Sequence, residues 1–153
     1  MRLWHEELIS KLPRQQLLGQ HRECCALRGN GWGKKHATVN YVFEYEPYLL
    51  FKYHELIMEE MENRGYNVSK EWFDKNYRGK VCSPYKNLKE VKIKSPIYNE
   101  HNKEYYQECI ENLAKRIFFF RLISMIEIIF KKNYFYFFVK IKILTERRNR
   151  SNM

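Results

Sequence analysis

Cysteine is scarce in this chain, and the amino-terminal region lacks the continuous apolar stretch that a secretory signal requires. The 153 residues include four cysteines, at Cys24, Cys25, Cys82 and Cys109. Charges at Arg2, Glu6 and Glu7 interrupt the start of the chain, so no signal peptide is expected. Without secretion, the thiols are expected to be reduced, and the sequence predicts a cytoplasmic protein.

No run of 18 apolar residues occurs, so no membrane span is expected. The most apolar stretch, residues 117–153, holds seven of the ten phenylalanines but is interrupted by charges at Arg121, Glu127, Lys131 and Lys132. Its abundant Phe, Ile, Lys, Asn and Tyr are residues of AT-rich codons. We therefore predict a domain over residues 1–116 and a tail over 117–153 that is a frameshifted or non-native extension. The alternative is a genuine terminal helix that packs on the domain.

Acidic residues are outnumbered, with 18 Asp and Glu against 28 Lys and Arg, for a net charge of +10. Residues 1–40 hold seven basic and three acidic residues, residues 41–116 hold thirteen of each, and residues 117–153 hold eight basic and two acidic. Outside the tail, all of the excess positive charge therefore lies in the first forty residues. A basic patch there favours a polyanionic partner, nucleic acid before membrane. A solvated charged surface is the equally weighted alternative.

Paired C-x-x-C knuckles are absent, which weakens a zinc interpretation. His21, Cys24 and Cys25 are spaced i, i+3 and i+4, and Cys82 or His36 could complete a metal site. Buried free cysteines in a helical core would produce the same spacing. A cysteine close to His21 could also suggest a cysteine nucleophile, but packing in the core explains that proximity equally well. The glycine-rich "GNGWGKK" lacks the spacing of a phosphate-binding loop. We expect no metal and no organic cofactor.

Strand signals are weak, and the sequence predicts an all-α domain of about three main helices with long loops. The predicted helices cover residues 13–28, 47–64 and 100–116, with a short helix over 70–77 and loops over 29–40 and 80–97. Pro13 and Pro47 suit helix starts, and Gly29 and Gly65 suit the positions after helix ends. Ser69 is placed to cap the short helix.

Helical spacing predicts which residues of each main helix are buried. The predicted apolar stripe of the first helix is Leu17, Leu18, His21, Cys24, Cys25 and Leu27. Arg14, Gln15, Arg22 and Glu23 are predicted to lie largely on another face. The corresponding stripes of the other two helices are Leu50, His54, Ile57, Met58 and Met61, and Tyr106, Ile110, Leu113 and Ile117.

Five ordered blocks resemble the pyrimidine dimer DNA glycosylase family of the endonuclease V type. They are "MRLW", "LPRQQLLGQHRE", "GKKHATV", "ELIMEEMENRGYNVS" and "YRG", and they extend from Met1 to about Arg78. The resemblance implies a compact all-helical domain that removes ultraviolet-damaged pyrimidines and cleaves the resulting abasic site. It also implies that the α-amine of Met1 is the nucleophile, that Glu23 assists it, and that Arg22 contacts a DNA phosphate.

The sequence therefore predicts a monomeric DNA-repair glycosylase with abasic-site lyase activity that acts on double-stranded DNA. Its predicted catalytic residues are Met1 and Glu23. The predicted DNA-binding residues are Arg2, Arg22, Arg28, Lys34, Lys35 and His36. One alternative is a DNA-binding protein of the same fold without catalysis, and the other is a Cys/His metal-binding protein with a structural role.

Overall fold

The computed structural model describes residues 3–29 and 39–118. Two α-helices, α1 (Arg14–Arg28) and α2 (Pro47–Asn63), dominate the described chain. A third helical stretch covers residues 103–110, and residues 111–118 are helical as well. Short 3-10 helices cover Glu6–Lys11, Asn40–Glu44 and Lys70–Phe73. Within the described ranges no residue is in a strand, which confirms the predicted all-α class with three main helices.

Helix α1 begins and ends at the residues that the sequence marked. Pro13 occupies the N-cap position, and its carbonyl oxygen accepts the first helical hydrogen bond, from Leu17 N, at 3.0 Å. Gly29 ends the helix with its N–H directed to the carbonyl oxygen of Cys25 at 3.1 Å. A Cβ atom at Gly29 would lie 3.1 Å from the carbonyl oxygen of Arg78. Gly29 therefore also permits a close approach between the end of α1 and the segment near Arg78.

Helix α2 matches its predicted stripe, since all five predicted residues are buried and Phe51 and Tyr53 are buried with them. Pro47 stands in its first turn, where the missing N–H costs no helical bond. Gly65 follows its end with a φ of 75°, a conformation that glycine adopts without the strain a Cβ would cause. Helix α2 packs mainly against α1.

Two predictions about local structure were wrong in detail. The predicted helix over 70–77 is only the 3-10 helix Lys70–Phe73, and the Ser69 side chain makes no capping bond to it. In the third helical stretch the buried residues are Tyr105 and Cys109, one position away from the predicted stripe. Tyr106 and Ile110 are only partly buried and pack beside them. Tyr105 and Cys109 are buried because Leu8 of the first 3-10 helix covers that side.

The chain divides into two compact units, Met1–Ile110 and Glu111–Met153. The predicted boundary between residues 116 and 117 stays a prediction, and nearly all of the predicted tail lies outside the described residues. In the part of the chain that the structure describes, no helix combines the length and the apolar character needed to cross a membrane.

Candidate active site

The segment that follows the amino terminus is tied to three helical elements. Leu3 is fully buried, and its carbonyl oxygen accepts a 2.7 Å hydrogen bond from the hydroxyl of Tyr105. The backbone N–H of Trp4 donates to Oε1 of Gln20 on α1 at 2.8 Å. The hydroxyl of Tyr53 on α2 donates to the carbonyl oxygen of Trp4 at 2.6 Å. The backbone of residues 3 and 4 therefore has a defined position against α1.

Two predicted site residues, Met1 and Arg2, precede this anchor and lie outside the described residues. Chain geometry still limits how far the α-amine of Met1 can lie from the anchor. A residue spans at most about 3.6 Å, so the α-amine lies within roughly 7–8 Å of the backbone nitrogen of Leu3. The described backbone nearest to Met1 in the sequence is that of Leu3 and Trp4, and Gln20 of α1 holds the latter.

Neighbouring residues Arg22 and Glu23 have different environments. Arg22 is exposed, as predicted, whereas the side chain of Glu23 is 9% exposed. The prediction that Glu23 lies with Arg22 on a face apart from the buried residues was therefore wrong for Glu23. Successive residues of an α-helix are about 100° apart around its axis. Glu23 therefore lies on the same side of α1 as Gln20 and Leu27, which are also buried. We call the side of α1 that carries Gln20 and Glu23 the amino-terminal edge.

Burial raises the pKa of the Glu23 carboxyl above its ordinary value, and the positive charge of the amino terminus acts in the opposite direction. Burial dominates because a charged carboxylate loses hydration when it leaves water. A carboxyl group in this state holds its proton to a higher pH than a surface glutamate does. A raised pKa makes a carboxyl group better suited to donating and accepting a proton than a surface glutamate is.

A second polar edge of α1 faces α2. It carries His21, Cys25 and Arg28, and we call it the histidine edge. Nε2 of His54 on α2 lies 2.8 Å from Nδ1 of His21, and Nδ1 of His54 lies 3.2 Å from a guanidinium nitrogen of Arg28. The sulfur of Cys25 lies 3.7 Å from Nε2 of His21 and 3.9 Å from Nε2 of His54.

These distances define a chain of hydrogen bonds with a single direction. An arginine can only donate, so Arg28 donates to Nδ1 of His54. The proton of neutral His54 then sits on Nε2 and is donated to Nδ1 of His21, which leaves the proton of His21 on Nε2, facing Cys25. Burial is the largest cause of the lowered pKa of both histidines, and Arg28 adds to it. Both rings are thus held neutral.

Arg28 is 5% exposed and donates to three backbone carbonyls besides His54. The guanidinium nitrogens lie 2.7, 2.6 and 2.9 Å from the carbonyl oxygens of Trp72, Asp74 and Tyr77. These bonds hold the segment after α2 against the end of α1. The prediction that Arg28 binds DNA finds no support in this arrangement, since its donors are directed into the protein.

The adjacent cysteines of α1 belong to different edges. Cys24 is fully buried. Cys25 is half-buried, and burial, opposed by Arg28, raises the pKa of its thiol to about 12. Because a thiol of that pKa is protonated at neutral pH, Cys25 lacks the thiolate that nucleophilic catalysis needs.

Three further predicted DNA-binding residues, Lys34, Lys35 and His36, lie outside the described residues. Sequence reasoning missed the contribution of Gln20, Tyr53 and Tyr105 to holding the amino-terminal segment. Gln20 did carry a signal, because it is a polar residue that stands three positions before Glu23 in a run with buried Leu17 and Cys24. No comparable pattern marked the two tyrosines.

Comparison with known protein families finds one match for the amino-terminal part of the chain. Residues 1–74 match the model of a family described as pyrimidine dimer DNA glycosylase. Over these residues the chain is similar to the pyrimidine dimer DNA glycosylase family. The matched segment includes the anchored amino-terminal segment and both edges of α1. No curated protein and no solved structure matches the chain.

Proposed function

We propose that the protein is a DNA glycosylase for pyrimidine dimers that also cleaves the abasic site, with the α-amine of Met1 as nucleophile. The observation that carries this proposal is the buried carboxyl of Glu23 on the same edge of α1 as Gln20, whose side chain holds the backbone of Trp4. The family match supports the lesion and the DNA substrate.

An α-amine suits this role because it is far less basic than a lysine side chain. Its ordinary pKa of about 7.7–8.0 leaves roughly a quarter of the molecules unprotonated near pH 7.4. An ordinary lysine, with a pKa of about 10.4, would be unprotonated in on the order of one molecule in a thousand. The amino terminus can therefore attack without a pocket that lowers its pKa.

The reaction then proceeds in two stages. The nitrogen attacks the sugar C1′, and the bond from C1′ to the damaged base breaks as the base leaves with the bonding electrons and a proton. The sugar ring opens at the bond from C1′ to its ring oxygen, which leaves a protonated imine between Met1 and C1′. Loss of a C2′ proton expels the 3′ phosphate and cleaves the strand. Hydrolysis of the imine releases the protein.

Glu23 contributes to both stages of this proposal. Its carboxyl group, with the raised pKa that burial causes, supplies and accepts the protons of base loss and elimination. As a carboxylate it also stabilises the positive charge of the imine. Arg22 is exposed one residue away, and in this proposal it binds a phosphate and holds the sugar near Glu23. Arg2, Lys34, Lys35 and His36 remain proposed DNA contacts, and Arg28 is not included.

Borohydride trapping tests the nucleophile. The protein is incubated with a duplex that contains an abasic site, reduced with borohydride, and digested for peptide mapping. We expect one covalent adduct, located on the peptide that begins with Met1. Extending the amino terminus with a short tag should abolish both the adduct and strand cleavage, and the same tag at the carboxyl terminus serves as the control.

The other outcomes overturn parts of the proposal in distinguishable ways. An adduct that persists after the amino terminus is blocked would assign the nucleophile to a lysine. Binding to damaged duplex without an adduct or cleavage would leave a DNA-binding protein of this family rather than an enzyme.

A further inference from the structure

The histidine edge and α2 bring together three metal-ligating side chains. His21 and Cys25 stand one turn apart on α1, and His54 projects from α2. One ligand atom from each residue lies within 4.8 Å of the other two. We propose that His21, Cys25 and His54 bind one thiolate-preferring divalent metal ion, zinc in the first instance, which links the two main helices. The metal site that the sequence left as an alternative used Cys24, whereas the ligand atoms that the structure brings together include His54 instead.

The potential ligand atoms lie at separations that a tetrahedral zinc site can reach after small shifts of the side chains. Bond lengths of about 2.05 Å to nitrogen and 2.3 Å to sulfur place two nitrogens about 3.3 Å apart and a nitrogen and a sulfur about 3.6 Å apart. The structure has 2.8 Å between Nδ1 of His21 and Nε2 of His54, and 3.9 Å from the same Nε2 to the sulfur of Cys25. The 3.7 Å approach of His21 to that sulfur is made by its other ring nitrogen, Nε2. An ion on Nδ1 of His21 therefore requires the two rings to separate by about half an ångström and the His21 ring to turn Nδ1 toward the sulfur.

The ligand set selects the class of metal. Two imidazoles and one thiolate favour zinc and similar transition metals, whereas calcium and magnesium require oxygen ligands. His21 and Cys25 are half-buried, so an ion can reach them and a water molecule can complete the coordination. Binding releases the thiol proton of Cys25, as it does for every cysteine that ligates a metal.

Without a metal ion, Arg28 holds the same three side chains in a hydrogen-bonded arrangement. In the metal-free arrangement Arg28 donates to Nδ1 of His54, and the proton on Nε2 links the ring to His21. A metal on Nε2 moves that proton to Nδ1, and the bond from Arg28 is lost. Arg28 keeps its three carbonyl acceptors in both states. Its positive charge lowers the affinity, so only an ion that bonds strongly to thiolate competes with the hydrogen-bond chain.

Cobalt provides a direct probe of a sulfur ligand. The intact protein is treated with a chelator, dialysed and titrated with Co²⁺, and a thiolate-to-cobalt charge-transfer band is recorded. We expect the band to saturate at one ion per chain and to disappear when Zn²⁺ is added. In Cys25→Ser the band should be absent, and Zn²⁺ affinity, measured against a chromophoric chelator, should fall by about tenfold or more.

Cys82→Ser is the matched control, because Cys82 is also half-buried and its thiol donates to the carbonyl oxygen of Gly29, a bond that a serine hydroxyl can replace. It should retain the band and the affinity. A wild-type protein that shows no band, or a Cys25→Ser protein that binds Zn²⁺ as tightly as the wild type, would overturn the proposal. This readout does not depend on DNA or on catalysis, so it stands apart from the proposed function.

If Cys25→Ser does not fold, thiol alkylation of the wild-type protein tests whether the sulfur of Cys25 binds the metal. Zn²⁺ should slow the alkylation of Cys25, measured by peptide mass spectrometry, by about tenfold or more and leave that of Cys82 unchanged. Equal alkylation rates of Cys25 with and without Zn²⁺ would contradict a site that contains its sulfur.

Discussion

The two polar edges of α1 are buried by different partners and have different chemistry. The amino-terminal edge, with Gln20 and Glu23, faces the backbone just after the chain start. The histidine edge, with His21, Cys25 and Arg28, faces α2 and the carbonyls of the segment after it. Helix α1 therefore carries the buried carboxyl group of Glu23 on one side. On its other side, the neutral imidazole of His21 belongs to a hydrogen-bond chain that ends at the buried guanidinium of Arg28.

The difference shows what makes a buried polar group structural or reactive. Arg28 has four acceptors within 3.2 Å, and removing it would take one hydrogen bond from each of them. Glu23 instead has a raised pKa caused by burial and lies on the same edge as Gln20, which holds the backbone of Trp4. We therefore expect substitutions on the histidine edge to change stability most, and substitutions on the amino-terminal edge to change catalysis most.

The largest expected effect is that of Arg28→Met on stability. The methionine preserves apolar contact with Phe51 and Trp72, whose rings lie 5.1 and 5.2 Å from the guanidinium, but makes no hydrogen bond. Three backbone carbonyls each lose the hydrogen bond from Arg28, at about 1 kcal/mol per bond, so the free energy of unfolding should fall by about 3 kcal/mol. Urea denaturation followed by circular dichroism measures it. Arg28→Lys keeps the charge and some donors, so its free energy of unfolding should fall by less. If Arg28→Met unfolds at the same urea concentration as the wild type, these bonds contribute nothing to stability.

Glu23→Gln tests the amino-terminal edge. The amide keeps the size of the carboxyl group but cannot exchange protons, so cleavage at an abasic site should slow by about 10²-fold or more while DNA affinity stays within a few-fold. Single-turnover cleavage and binding assays measure the two quantities. Glu59→Gln, an exposed position on α2, is the matched control and should cleave at the wild-type rate. Wild-type cleavage by Glu23→Gln would remove the carboxyl from the mechanism.

The smallest expected effect is that of Arg22→Gln on DNA binding. Loss of one phosphate contact should weaken binding several-fold at low salt and reduce the slope of log affinity against log salt by about 1. The thermal stability should not change, because Arg22 is exposed. Binding measured at several salt concentrations checks this. Arg14→Gln removes the same charge from the exposed start of α1, and an equal change in both variants would indicate non-specific attraction rather than a contact of Arg22.

Local sequence signals were sufficient to predict the main helices. Pro13 and Gly29 bound α1 as predicted, and Pro47 and Gly65 bound α2, because these residues act through their own backbone geometry. The family resemblance could also be recognised from the sequence, since it depends on ordered blocks of residues. The short 3-10 helices Glu6–Lys11 and Asn40–Glu44 were missed, because they depend on packing rather than on strong local preferences.

The sequence by itself determined the extent of α1 and which of its residues share a side, because helical periodicity is a local property. Only the tertiary structure decided what covers each side. The Trp4–Gln20 bond joins residues 16 positions apart, His54 meets His21 across 33 positions, and Arg28 reaches Tyr77 across 49. The burial of Glu23 depends on such long-range packing, and a helical pattern alone places that residue next to Arg22 in solvent. Long-range partners change the hydration of a side chain, and hydration sets its charge state and therefore its chemistry.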